Sequence, residues 1–102
     1  MDMQQIMQQA QQFQQKMAGL QAELAERTVT SSVGGGMVQV TVNGRHQLVE
    51  LKIEPAVINP EDPEMLRDLV VAAVNDAMAK AQEMIQAEMG KLTGGMNIPG
   101  LF

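Results

Sequence analysis

The sequence predicts an α+β fold in the order helix, three antiparallel strands, helix. Three features carry this reading. A stripe of apolar residues at spacings of three and four opens the chain. The middle then changes to alternating valines, and a second, longer helical stripe begins just after a proline.

Residues 2–27 form the first predicted helix. Met3, Ile6, Ala10, Phe13, Met17, Leu20 and Leu24 recur at heptad spacing over about three repeats. The positions between them are mostly glutamine, including Gln4, Gln5, Gln8, Gln9, Gln11, Gln12, Gln14 and Gln15. A glutamine tract without apolar period would be read as disordered, but this one keeps its period without a break. Gly19 weakens the helix interior by up to ~1 kcal/mol relative to alanine, which does not overturn the pattern.

Residues 28–54 carry the strand period. Val29 and Val33 precede Gly34-Gly35-Gly36, and Val38, Val40 and Val42 follow it. Asn43-Gly44 is a strong two-residue hairpin signal, because both residue types tolerate positive φ. With those two as the loop, Val42 faces Arg45, Val40 faces Gln47 and Val38 faces Val49. Opposed residues share a face, so Val38, Val40, Val42, Val49, Leu51 and Ile53 are expected on one covered side of a meander. Gln39, Thr41, Glu50 and Lys52 take the other. Pro55, Pro60 and Pro63 punctuate the next connection, with room for one helical turn near residues 56–58. Asp62 is a natural N-cap with Pro63 at the first helical position. The second long helix is expected to run from there to about Leu92 and to stop at Gly94-Gly95. Residues 1–93 read as a single domain and residues 94–102 as a flexible Gly/Pro tail.

The chain has 102 residues, enough for one core, and its only aromatic residues are Phe13 and Phe102. Ten methionines and no tryptophan or tyrosine give a core of Val, Leu, Ile, Met and Ala, which fills space well but specifies shape weakly. Cysteine is absent, which excludes disulfides and thiolate chemistry. With no signal-peptide pattern and no run of about 18 apolar residues, a soluble cytoplasmic protein is expected, without a membrane partner. The net charge is −5, and there is no basic block. On composition alone this argues against strong nucleic-acid binding.

Lengths point to a dimer. At 1.5 Å per residue the two helices span about 37 and 45 Å, whereas strands of this size reach only ~20–27 Å. Both apolar stripes therefore run past the sheet, and a second copy of the chain is the simplest cover. An antiparallel pairing of the two helices within one chain is the alternative. On the second helix, Leu66, Leu69, Val70, Val74 and Met78 are the expected dimer contacts.

Residues for catalysis are hard to find. His46 sits beside a hairpin turn with no carboxylate at a catalytic spacing. Gly34-Gly35-Gly36 leads into a strand, whereas a phosphate loop leads into a helix N-terminus. Glu61, Asp62, Glu64 and Asp68 are explained by the dipole of the helix they open, without a metal. No enzyme activity, cofactor, metal or small-molecule substrate is expected.

Met37-Val38-Gln39-Val40-Thr41-Val42-Asn43-Gly44, then Val49 to Pro55, and the helix Pro63 to Ala77 carry a resemblance. Together with the Gln-rich helix and the Gly/Pro tail, they resemble the YbaB/EbfC family of bacterial nucleoid-associated proteins nearly end to end. The resemblance implies a tweezer-like homodimer whose projecting helix ends bind duplex DNA with little sequence preference. It also implies a cytoplasmic, nucleoid-associated location and a role in nucleoid organisation or gene expression. Carried onto this chain, Lys16, Arg27, Lys80 and Lys91 are the candidate phosphate contacts. Gln8, Gln12 and Gln15 are the candidate hydrogen-bond donors to phosphate or base edges. A solvated helix face accounts for the same residues. Asn75 and Asp76 match the family's N-D pair and are expected to pack or cap within the dimer. The chain departs from the family pattern in having no lysine in its first fifteen residues. A protein–protein adaptor docking a helix on the Met-rich seam is the alternative function.

Overall fold

A computed structural model describes residues 2–92. Helix α1 runs Met3–Glu26, with the Asp2 side chain accepting a hydrogen bond from the Gln4 backbone N–H as its N-cap. Strands β1 (Thr28–Val33), β2 (Val38–Asn43) and β3 (Leu48–Ile53) follow, then a 3-10 turn at Pro55–Val57, then helix α2 at Pro63–Leu92. Asp62 caps α2 as its sequence predicts, its carboxylate accepting from the Met65 N–H at 3.3 Å. The expected tail, 94–102, and the expected stop at Gly94-Gly95 lie outside the described residues.

The sheet is an antiparallel meander in the order β1-β2-β3. Gly34, Gly35 and Gly36 all take positive φ in the turn between β1 and β2, a conformation that costs glycine nothing. The second hairpin differs from the expected one. Asn43 is a strand residue, not a loop residue: its N–H donates to the Gln47 carbonyl at 3.0 Å, so the loop is Gly44-Arg45-His46. The Asn43 side-chain oxygen accepts from the N–H groups of Arg45 and Gln47, and His46 supplies the left-handed residue at φ 59°. A bulge between Thr41 and Val42 adds one more residue on β3. Val38 therefore faces Ile53, not Val49, and Val40 faces Leu51. The expected register is wrong by four residues there. Because four is even, Leu51 and Ile53 keep the expected face. At the bulge Leu48 turns inward opposite Val42, and Val49 is left without a partner.

Helix α2 packs on β1 and β2, and the core forms where they meet. Val38, Val40 and Val42 are fully buried against Ala73, Ala77 and Ala81, with Val57 closing one end. Alanines let the helix backbone approach the sheet closely. The order of contacts fixes the helix direction: Leu69 lies by Gly34, Asp76 by Ser31, Lys80 by Thr30 and Glu88 by Arg27. So α2 runs antiparallel to β1 and leaves the sheet at the end where α1 enters it. Most of β3 stays uncovered, with Leu48 47 % and Leu51 42 % exposed on the inner side.

The molecule is long, 70 × 22 × 17 Å, with a radius of gyration of 19.2 Å; a compact chain of this length has about 13 Å. The expected overhang is present in α1. Every residue of α1 from Met3 to Lys16 is exposed, and burial begins only at Met17, Leu20 and Leu24.

Candidate nucleic-acid interface

The projecting half of α1 presents two faces. Its apolar heptad residues form one stripe. Gln8, Gln12 and Gln15, spaced four and three apart, form a polar stripe on the opposite side, all exposed. Lys16 stands at the base of this segment, exposed and without an ion pair among the described residues.

The other three expected cations are engaged within the chain. Arg27 and Lys91 meet at Glu88, where α1 leaves the sheet: the Arg27 guanidinium pairs with the Glu88 carboxylate, and the Lys91 ammonium lies 3.3 Å from it. The Arg27 hydrogen bond, aided by Lys91, holds the Glu88 carboxyl below its ordinary value of 4.5, against a smaller opposing effect of burial. Lys80 lies farther back, over β1, 3.3 Å from Asp76 and 3.5 Å from the Thr30 carbonyl to which it donates.

Asp76 explains one half of the N-D pair. Its carboxylate accepts a 2.6 Å hydrogen bond from the buried Ser31 hydroxyl. That bond first, and Lys80 second, lower its pKa from 3.8. Asp76 thus fastens α2 to β1 within one chain. Leu66, Leu69, Val70, Val74 and Met78 also pack against the core of their own chain, and each is partly exposed.

Sequence reasoning passed over Arg45. It sits on the β2–β3 loop with its side chain free of ion pairs among the described residues. It helps line a cleft of about 360 Å³ with His46, Met17, Leu20, Leu24, Ile85 and Met89. A cation next to a predicted hairpin turn was the available signal, but only the fold brings that turn beneath α1. His46 Nε2 lies 3.1 Å from the Gln82 side-chain oxygen, so the turn also touches α2.

One acidic cluster lies away from the arm. Glu61, Asp62, Glu64 and Asp68 gather at the start of α2, at the opposite end of the sheet from the projecting helix. Between Asp2 and Lys16, α1 carries no charged side chain. Net acidity therefore describes the body and not the arm. Among the described residues no group of acidic and histidine side chains is placed to hold a metal, and no helix is long and apolar enough to cross a membrane.

Residues 1–96 match the family model of the YbaB/EbfC DNA-binding family. A protein named nucleoid-associated protein from Pelotomaculum thermopropionicum is 54 % identical over 101 residues, spanning 99 % of this chain and 96 % of the relative. A second of that name, from Syntrophobacter fumaroxidans, is 58 % identical over 95 residues, 93 % of this chain and 86 % of its own. Among solved structures, an uncharacterized protein of Helicobacter pylori superimposes with a TM-score of 0.83 at 27 % identity, covering 91 % of this chain and 98 % of that one.

Proposed function

The chain belongs to the YbaB/EbfC DNA-binding family, and from that premise we propose that it binds duplex DNA as a homodimer, at the nucleoid, with little sequence preference. It is a nucleoid-associated DNA-binding protein by family and by its relatives, and it works by binding, without a catalytic step. The observation that supports the site is the separation of arm from body. The arm offers an exposed glutamine rail and Lys16, unpaired among the described residues, with Asp2 at its tip as its one acid, while the acidic cluster Glu61, Asp62, Glu64 and Asp68 lies at the far end of the molecule. A phosphate backbone can approach the arm without meeting the net negative charge.

Among the described residues, Lys16 and Arg45 are the cations without an ion pair and so free to replace counterions. Arg27, Lys80 and Lys91 contribute only as far as they exchange a carboxylate for a phosphate. Few cations per protomer give weak, salt-sensitive binding, with a slope of roughly −0.9 per phosphate neutralised. A homodimer doubles them and covers the inner side of β3, with Leu66, Leu69, Val70, Val74 and Met78 at its border. The adaptor reading is not favoured by the family.

The test is fluorescence anisotropy of a labelled random-sequence duplex at about 50 and about 200 mM salt. Saturable binding that weakens steeply at the higher salt supports the proposal, and equal affinity for unrelated duplexes supports weak sequence preference. No binding at tens of micromolar protein in low salt would sink it.

A further inference from the structure

We infer that residues 96–102 dock in their own chain's cleft between α1, the β2–β3 loop and α2, as an apolar strap returning from the end of α2. The cleft holds about 360 Å³, near the lower end of the range that takes a ligand. Leu20 and Leu24 form its buried floor. Met17 from α1, with Ile85 and Met89 from α2, forms its walls, and each of the three is only half-buried. Gln21, Arg45 and His46 stand exposed at the rim. A small-molecule site turns a few polar groups inward to fix its ligand. An apolar trough with its polar groups at the rim suits a run of apolar side chains instead.

Position and composition choose the occupant. Helix α2 reaches Leu92, which is about 4.5 Å along the helix from Met89, so the chain leaves the helix close to one wall of the cleft. Thr93, Gly94 and Gly95 come next, and two glycines admit the left-handed backbone that ends a helix and turns the chain back. Residues 96–102 then bring Met96, Ile98, Leu101 and Phe102 with no charged side chain. An uncharged segment enters an apolar trough without desolvating an ion. Pro99 opposes a continuation of the helix through the segment.

The reach is sufficient. Residues 96–102, fully extended, span up to about 25 Å, while Met17 and Leu24 lie about 10 Å apart along α1. A connection as short as Thr93-Gly94-Gly95 also holds the segment at an effective concentration on the order of millimolar. A separate molecule must exceed that to take its place. Glycine and proline content reads as a flexible tail, but apolar side chains held beside an apolar cleft have a place to rest. Seated there, the segment bridges α1 and α2 and fixes the direction in which the arm leaves the body.

The chain has no tryptophan or tyrosine, so Phe102→Trp gives the full-length protein a single reporter in the segment. Without DNA, its emission should shift to the blue, and iodide should quench it several-fold less than free N-acetyltryptophanamide. Quenching equal to that of the free amide means that the cleft is left to another occupant, and overturns the inference. Met17→Asp puts a charge on one wall and should restore full quenching, with helicity followed by circular dichroism. Met89→Gln alters the other wall and should act in the same direction, which keeps the test open if Met17→Asp fails to fold. Protection that persists in a folded cleft variant places the segment elsewhere and overturns the inference. Gln8→Asp, on the exposed arm, should leave the protection unchanged; its loss there would put the segment on the arm and overturn the inference as well. Phe102→Trp chains are then refolded from urea with an excess of the cleft variant. Protection that survives the mixing means that each chain fills its own cleft. Protection that is lost means that the segment crosses to a second copy, which overturns the inference. Since no DNA is present, failure here is separate from failure of the DNA-binding reading.

Discussion

The two helices compare directly, because both carry long apolar stripes and yet end in opposite surroundings. In α1 the exposed residues between Met3 and Lys16 include methionines, isoleucine and phenylalanine. In α2 the fully buried positions are Ala73, Ala77 and Ala81, the smallest apolar side chains on that helix. The difference teaches that burial follows backbone approach more than side-chain size. A helix lying flat on a sheet needs small residues at its line of contact, and larger ones such as Leu69, Val70 and Met78 straddle that line and remain partly exposed. A helix that leaves the sheet carries large residues on its stripe that stay exposed among the described residues.

Substitutions can break this comparison, and the largest effect is expected at the joint between the two regions. A Cβ on Gly44 would lie 2.5 Å from the Leu24 carbonyl oxygen and 2.7 Å from the Leu24 Cβ. The Gly44 N–H also donates to the carbonyls of Leu24 and Arg27. Gly44→Ala is expected to cost about 3 kcal/mol in urea unfolding; a negligible cost would mean that α1 is not anchored at this turn.

Next comes the contrast between body and arm. Val40→Ala should destabilise by about 2 kcal/mol, since it opens a cavity between sheet and α2. Ile6→Gln, measured in dilute protein, should stay within about 0.5 kcal/mol of the wild type. Similar costs for the two would show that the arm is buried even in the single chain. Gly19 has nothing within 4 Å of a built Cβ, so Gly19→Ala should stabilise by up to about 1 kcal/mol in thermal unfolding.

The DNA site sharpens the same division. Lys16→Ala should weaken binding on any duplex and lower the magnitude of the salt slope by about one unit. Lys80→Ala should do less, because its ammonium is held at Asp76 over the body. Equal losses would move the interface onto the sheet side of α2.

The smallest expected effect is the acid dependence of α2 docking. Asp76 and Glu88 both have lowered pKa values, so the stability they add is fully present above their ordinary values of 3.8 and 4.5. It is lost as pH falls through the lower folded values. Asp76→Asn should therefore be less stable than the wild type at neutral pH and converge with it in acid. Urea midpoints across that range check the sign, and parallel profiles would remove Asp76 from the linkage.

Much of this was legible in the residues. The heptad of α1, the Asp62-Pro63 start of α2 and the valine alternation of β2 are local patterns, and local patterns set element type. The hairpin register was not legible. Asn43-Gly44 fits a two-residue loop, but Gly44 is held by hydrogen bonds to the end of α1, and that tertiary contact goes with a longer loop and His46 in the left-handed region. The candidate cations divide in the same way. Their presence on helices was readable, while the pairing of Arg27 and Lys91 with Glu88, and of Lys80 with Asp76, depends on residues far apart in sequence.

By itself, then, the sequence determined the order of elements, their approximate ends, the overhang of the first helix and the family, because period, caps and helix rise act over a few residues at a time. Tertiary structure decided which cations are paired, where the acidic cluster that opens α2 sits relative to the arm, and which apolar residues are covered. Those outcomes depend on where α2 crosses the sheet, and that crossing is set by close packing of alanines against valines, which no spacing along the chain encodes.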